Sequence, residues 1–143
     1  MKIIYLHHSG FVVELDKNTF VFDAITYIQP QFLHKGHQNY FFATHSHTDH
    51  FSQIIYNYSS DYNGHYILSD DITKRGGKRT TFVKPYDHLT YTDAKGGDVV
   101  IDTFGSTDER DKWARLIAAY LHGNTRLFGV VALLDAVDRK SVV

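Results

Sequence analysis

The feature of this sequence that most constrains its fold is a run of metal-ligating side chains that directly follows an apolar segment. Residues 40–43 are aromatic and apolar, as expected for a short buried strand. His45, His47, Asp49 and His50 come immediately after it. Alternate residues of an extended strand end share one face, so His45 and His47 can bind one ion. Asp49 and His50 follow where the chain turns, and can face a second ion.

This spacing of imidazole and carboxylate groups predicts a metal loop. Such ligands suit zinc, iron or manganese. Two ions about 3.5 to 4 Å apart can hold a bridging water and deprotonate it near neutral pH. A chain with 10 histidines sometimes contains one H-x-H pair by chance, but an H-x-H-x-D-H run between a strand and a helix is much rarer. We therefore interpret the run as a functional feature.

The remaining apolar runs are short and are separated by turn residues, which predicts a strand-rich chain. Strands are predicted over residues 3–6, 11–15, 20–22, 40–43, 66–68, 80–83 and 98–104. The first three form a β-meander, and residues 24–38 form a loop. Phe51, Ile54, Ile55 and Tyr58 recur at helical spacing, so a short helix is expected after the metal loop.

The chain changes character near Glu109. Apolar residues between 113 and 121 fit an amphipathic helix, and also fit two strands across a turn at residues 122–124. Residues 130–134 are a buried-type run, and no capping element follows them. We expect one domain over residues 1–143, in which residues 110–143 are a divergent or artefactual tail.

Composition excludes several classes of protein. The net charge of −1 argues against an electrostatic nucleic-acid binder, so nucleic acid is not an expected partner. No apolar run approaches the ~18 residues that span a bilayer, and the N-terminus lacks the apolar region of a signal peptide. We therefore expect a cytoplasmic protein with no membrane partner. The absence of cysteine excludes disulfides and thiolate metal sites.

Several segments resemble the metallo-β-lactamase superfamily. The metal loop is similar to its HxHxDH loop, and residues 5–11 (YLHHSGF), 21–23 (VFD) and 106–109 (STDE) resemble a bacterial subgroup of undefined substrate. The similarity covers about residues 1–109, and only the loop is specific. The resemblance implies an α+β fold: a partial αββα metallo-β-lactamase-like sandwich, with a mostly antiparallel or mixed β-sheet and flanking helices.

The resemblance also implies roles for the loop residues. His45 and His47 would bind a first metal ion, and Asp49 and His50 would bind a second. Asp49 would in addition be catalytic, accepting a proton from the attacking water. The implied cofactor is one or two Zn²⁺ ions, with Mn²⁺ or Fe²⁺ as alternatives.

Three further residues match positions near the metal pocket of related proteins. They are His8, Asp23 and Asp108. The competing interpretation of His8 is a solvated turn residue. Asp23, at a strand end, equally fits a carboxylate that caps a loop.

The downstream part of the family pattern is not matched. Its middle histidine aligns near Ser106, and the only later histidine is His122, which is not next to a Gly-Asp pair. The bridging aspartate and the last histidine therefore have no counterpart, and we interpret the chain as an incomplete, truncated member. A sheet without its partner would expose an apolar face, which would favour a homo-oligomer.

The expected function is that of a metal-dependent hydrolase with a small-molecule substrate. Metal-bound hydroxide would attack an ester, lactone, amide or phosphodiester, with activity impaired by truncation. The alternative is a non-catalytic metal-binding or assembly module. A nuclease is a third interpretation, which is disfavoured because residues 74–75 and 78–79 form the only basic cluster.

Overall fold

Short aromatic and β-branched runs make the described part of this chain predominantly β-sheet. The computed structural model describes residues 1–58, 60–72, 77–84, 87–92, 98–102 and 131–132. It divides into two units, Met1–Val83 and a second that begins at Lys84. The prediction of a single domain over residues 1–143 stays a prediction.

The first unit contains a six-stranded mixed sheet in which neighbours along the chain are neighbours in space. The strands are β1 (Lys2–His7), β2 (Gly10–Glu14), β3 (Asn18–Phe22), β4 (Gln38–Ala43), β5 (Gly64–Ser69) and β6 (Thr80–Val83). Strands β1, β2 and β3 are antiparallel to one another, which confirms the predicted β-meander. The pairs β3–β4, β4–β5 and β5–β6 are parallel.

Both faces of the central strands are buried, as is typical of parallel strands. All five residues of β3 are buried. On one face Val12, Val21, Phe41 and Leu68 form the hydrophobic core together with residues of the connecting loops. On the other face Phe22 stacks between Phe11 and Phe42, with ring centroids 4.6 and 4.7 Å away. Because successive side chains of a strand point to opposite faces, consecutive apolar residues cover both faces of the sheet.

The helical content of the described residues consists of two 3₁₀ helices, at Pro30–Phe32 and Gln53–Tyr58. The second lies where the sequence predicts a short helix. Its buried residues are Ile55 and Tyr58. Residues three apart eclipse each other in a 3₁₀ helix, so this tighter winding directs both side chains into the core. The chain therefore forms the expected helix as a 3₁₀ rather than an α-helix.

The second unit contains a three-stranded sheet. Its strands are β7 (His88–Thr92), β8 (Asp98–Asp102) and β9 (Val131–Ala132). Strand β7 pairs antiparallel with β8, and β9 pairs parallel with β8. The sequence prediction includes β8 and the apolar run around β9 but misses β7. The helix considered between residues 113 and 121 lies outside the described residues, as do residues 103–104.

The fold class is thus confirmed at the level of a predominantly mixed β-sheet. The flanking helices of a sandwich are not among the elements of the described residues. Within the same residues, no helix is long and apolar enough to cross a membrane.

Candidate metal centre

The topology of the six-stranded sheet brings the candidate residues to one edge. Because β3, β4 and β5 are parallel, the residues that follow them meet at the carboxyl end of the sheet, where ligands commonly bind in open sheets. Asp23 follows β3, the loop 44–50 follows β4, and Asp71 lies just after β5. The turn between the antiparallel strands β1 and β2 lies at the same edge, because Phe11 pairs with Phe22.

Asp23 is the central hydrogen-bond acceptor at this carboxyl end of the sheet. Asp23 is only 4% exposed, and its backbone has a positive φ of 45°. Oδ1 accepts the backbone N–H of Thr44 at 2.8 Å, and Oδ2 accepts the Thr44 hydroxyl at 2.8 Å. Oδ2 also lies 2.7 Å from Nδ1 of His50. The carboxylate thereby fixes the first and last residues of the loop relative to β3.

These contacts assign the proton of the His50 ring. A carboxylate oxygen is an acceptor, so Nδ1 of His50 carries the hydrogen that points to Asp23. Ser9 Oγ, 3.1 Å from the same nitrogen, adds a polar neighbour from the β1–β2 turn. The lone pair is therefore on Nε2, which lies 3.6 Å from Asp49 Oδ2. A carboxylate that orients an imidazole in this way is the usual outer partner of a metal-binding histidine.

The same reasoning assigns His45. Thr44 gives its one hydroxyl hydrogen to Asp23, so its oxygen accepts from Nδ1 of His45, 3.1 Å away. The lone pair of His45 is then on Nε2, which is 3.1 Å from Nδ1 of His47. The rings of His45 and His50 are 4.0 Å apart, and both residues are buried. The loop therefore presents imidazole lone pairs to one small region.

The donor atoms fit a metal ion in pairs but do not form a complete ligand set. Two ligands of a tetrahedral zinc ion lie about 3.3 Å apart, close to the separation of the His45 and His47 nitrogens. Among the described residues, however, no three histidine or acidic side chains form a group that could hold an ion. The nitrogen separation and the absence of a three-ligand group are consistent if each ion takes a further ligand that is not one of these side chains. The chemistry of the set, imidazole with carboxylate, suits Zn²⁺, Mn²⁺ or Fe²⁺.

Asp71 fixes the middle of the loop and was missed by the sequence analysis. Its Oδ2 accepts the backbone N–H of Ser46 at 2.9 Å. Partial burial opposes ionisation of this carboxyl, but hydrogen bonds from the backbone and side chain of Ser46 and from Ser69 outweigh it and lower the pKa of Asp71. The signal in the sequence was the position of Asp71 just past the apolar run of residues 66–68, a predicted strand.

We expect Asp71→Ala to loosen the loop without unfolding the chain. Loss of the acceptor for the Ser46 N–H should lower the free energy of unfolding by about 1 kcal/mol. The measurement is urea denaturation, with Asp70→Ala as the matched control because Asp70 is an exposed neighbour of the same charge. Equal effects of the two substitutions would show that the Asp71–Ser46 contact does not stabilise the loop.

The turn between β1 and β2 approaches Asp23 closely at Gly10. A Cβ atom at Gly10 would lie 2.9 Å from the backbone oxygen of Asp23, which is too close for any other residue to fit without a shift. His8, in this turn, is exposed and has a positive φ of 46°. Its ring packs edge-on against His7, with centroids 5.9 Å apart. Asp108 lies outside the described residues.

The structure therefore brings together the predicted ligands His45, His47 and His50 with Asp23, and it adds Ser9, Thr44 and Asp71 as polar contacts. Asp49 lies beside His50, and its side chain is 63% exposed. Comparison of the chain with models of protein families, with curated proteins and with solved structures finds no match.

Proposed function

We propose that this chain is a metal-dependent hydrolase of the metallo-β-lactamase type, with Zn²⁺ held by the loop 45–50. The observation that carries the proposal is the hydrogen-bond chain from His50 through Asp23 and Thr44 to His45. These hydrogen bonds engage Nδ1 of both rings, so an ion could bind Nε2 of His50 and could bind Nε2 of His45 in place of its hydrogen bond with His47. A structural role alone would not require two histidines to be oriented in this way.

In the proposed site the side chains would have different roles. His45 and His47 would hold one ion, and Asp49 and His50 a second, with Mn²⁺ or Fe²⁺ as alternatives to Zn²⁺. A bound ion would supply Lewis acidity, which lowers the pKa of water and polarises the bond to be cleaved. Asp49, whose side chain is largely exposed beside His50 Nε2, would take up a proton from the attacking water.

The proposal extends to the fold, the substrate and the compartment. The six-stranded sheet would be one sheet of a partial αββα sandwich. The substrate would be a small ester, lactone, amide or phosphodiester. A cytoplasmic location also belongs to this proposal.

The test is the metal content of the purified chain after desalting, measured by elemental mass spectrometry. We expect at least one ion per chain, lost in a His45→Ala/His47→Ala variant and kept in His65→Gln, which changes a histidine on β5 outside the loop. Folded protein without metal would overturn the proposal. Chromogenic esters, a lactone and a phosphodiester then test hydrolysis, which should be absent from the double variant.

The second candidate is a non-catalytic metal-binding or assembly module. The observation that favours it is the set of exposed apolar residues at the edge strand β1, where Ile3 is 64% and Tyr5 71% exposed. In this candidate the exposed side chains of β1 would contribute to the surface of a homo-oligomer. Metal-dependent oligomerisation without hydrolysis of any substrate class would favour this candidate.

A further inference from the structure

A second group of histidine and acidic residues lies at the opposite end of the sheet from the metal loop. Strand β2 ends at Glu14, which pairs with Thr19 near the start of β3, and Thr19 pairs with Asn39 on β4. His34 and His37 lie in the turn that leads into β4. The six residues of β4 separate this group from the loop by about 20 Å.

The turn that carries the two histidines is fixed by hydrogen bonds to its backbone carbonyls. The backbone N–H of His37 donates to the carbonyl of His34 at 3.0 Å. The amide Nδ2 of Asn39, which is fully buried, lies 2.9 Å from the carbonyl of His34 and 3.1 Å from that of His37. One side chain thus ties both histidine backbones to β4.

The side chains of the group face one another. Nε2 of His34 lies 3.2 Å from Oε1 of Glu14. That nitrogen is buried and makes no hydrogen bond of good geometry. The rings of His34 and His37 are 4.6 Å apart, and Thr19 Oγ1 lies 3.0 Å from Nδ1 of His37. The side chains of His34 and Glu14 are 38% and 26% exposed, so the group borders solvent although Nε2 of His34 is itself buried.

We propose that Glu14, His34 and His37 form a second site for a borderline divalent transition ion such as Zn²⁺, Ni²⁺ or Cu²⁺. The ion would lie between Nε2 of His34 and Oε1 of Glu14, whose separation is close to the ~3.3 Å between two ligands of a tetrahedral ion. His37 would complete the site by rotating its ring. Because three donors do not already converge among the described residues, the site is weaker than a closed structural site.

A purely structural role makes a different prediction. If His34 only pairs with Glu14 to fix the turn, added ions would have no preferred position there. If the ion binds, it takes a defined position between Nε2 of His34 and Oε1 of Glu14. The structural role and the binding role can therefore be separated by locating the ion.

The first test locates Ni²⁺ on the unmodified chain by NMR. Substoichiometric Ni²⁺ should broaden the amide signals of residues 34–38 as well as those of the loop 44–50. Broadening at the loop alone would overturn the second site and leave the proposed function intact. Broadening at residues 34–38 alone would support the second site and count against the proposed function.

The second test measures affinity by competition with a chromogenic chelator. In a His45→Ala/His47→Ala background, in which the loop lacks its first ligand pair, His34→Gln should weaken Ni²⁺ binding by at least the ~10-fold that loss of an outer partner costs, and His37→Gln should have a smaller effect in the same direction. The matched control is His65→Gln in the same background, which leaves the second site intact. Unchanged Ni²⁺ affinity in a folded His34→Gln variant, monitored by circular dichroism, would overturn the proposal.

Discussion

Replacement of Asp23 by alanine is expected to lower the free energy of unfolding by about 3 kcal/mol and to abolish metal retention. The carboxylate accepts the Thr44 N–H and faces the buried His50 ring, so its removal leaves polar groups without their acceptor. Denaturation in urea gives the stability, and elemental analysis of the folded protein gives the metal content.

Asp23→Asn separates the structural role of Asp23 from its role in orienting histidine. The amide oxygen can still accept the Thr44 N–H, but the amide hydrogens then face Nδ1 of His50. We expect His50 to move its proton to Nε2, which removes the lone pair that would bind metal. Stability should fall by about 1 to 2 kcal/mol, whereas Zn²⁺ affinity should fall about ten- to a hundred-fold. Unchanged Zn²⁺ affinity would show that Asp23 does not set the His50 tautomer.

The second large effect is expected in the core. Phe41 is fully buried on β4 and stacks on Tyr58, with ring centroids 5.6 Å apart. Phe41→Ala should lower the free energy of unfolding by about 4 kcal/mol, because it removes a large apolar side chain and leaves a cavity. Thermal and urea denaturation measure the change.

Phe82→Ala is the matched control for this substitution. Phe82 lies on the edge strand β6 and is 49% exposed. Its loss should cost about 1 kcal/mol or less, since surface substitutions rarely do more. Similar losses for Phe41 and Phe82 would mean that the core is not packed around β4.

The local features of the site could be predicted from the sequence. The four candidate ligands of the loop lie within six residues, and the apolar run before them identifies the strand that they follow. Asp23 was identified by the resemblance to the metallo-β-lactamase superfamily, whereas its position at a strand end equally fitted a carboxylate that caps a loop. The β-meander was predictable because its strands pair with chain neighbours across short turns.

Contacts between distant residues could not be predicted in the same way. Ser9 meets His50 across 41 residues, and Asp71 meets Ser46 across 25 residues. Both contacts depend on the parallel pairing of β3, β4 and β5, which no local pattern specifies. Strand β7 was missed because a five-residue run with alternating exposure gives little signal among polar neighbours.

The parallel pairing of β3 with β4 also determines the order in which contacts form during folding. The meander closes through short turns, whereas the contacts of Asp23 with Thr44 and His50 close loops of 21 and 27 residues. Long-range pairings form more slowly because the chain must lose more entropy before they are made. A nascent chain would therefore acquire its hairpins first, and its imidazoles would converge only when β4 docks. An ion that binds these imidazoles would therefore stabilise the product of the last folding step and would not initiate folding.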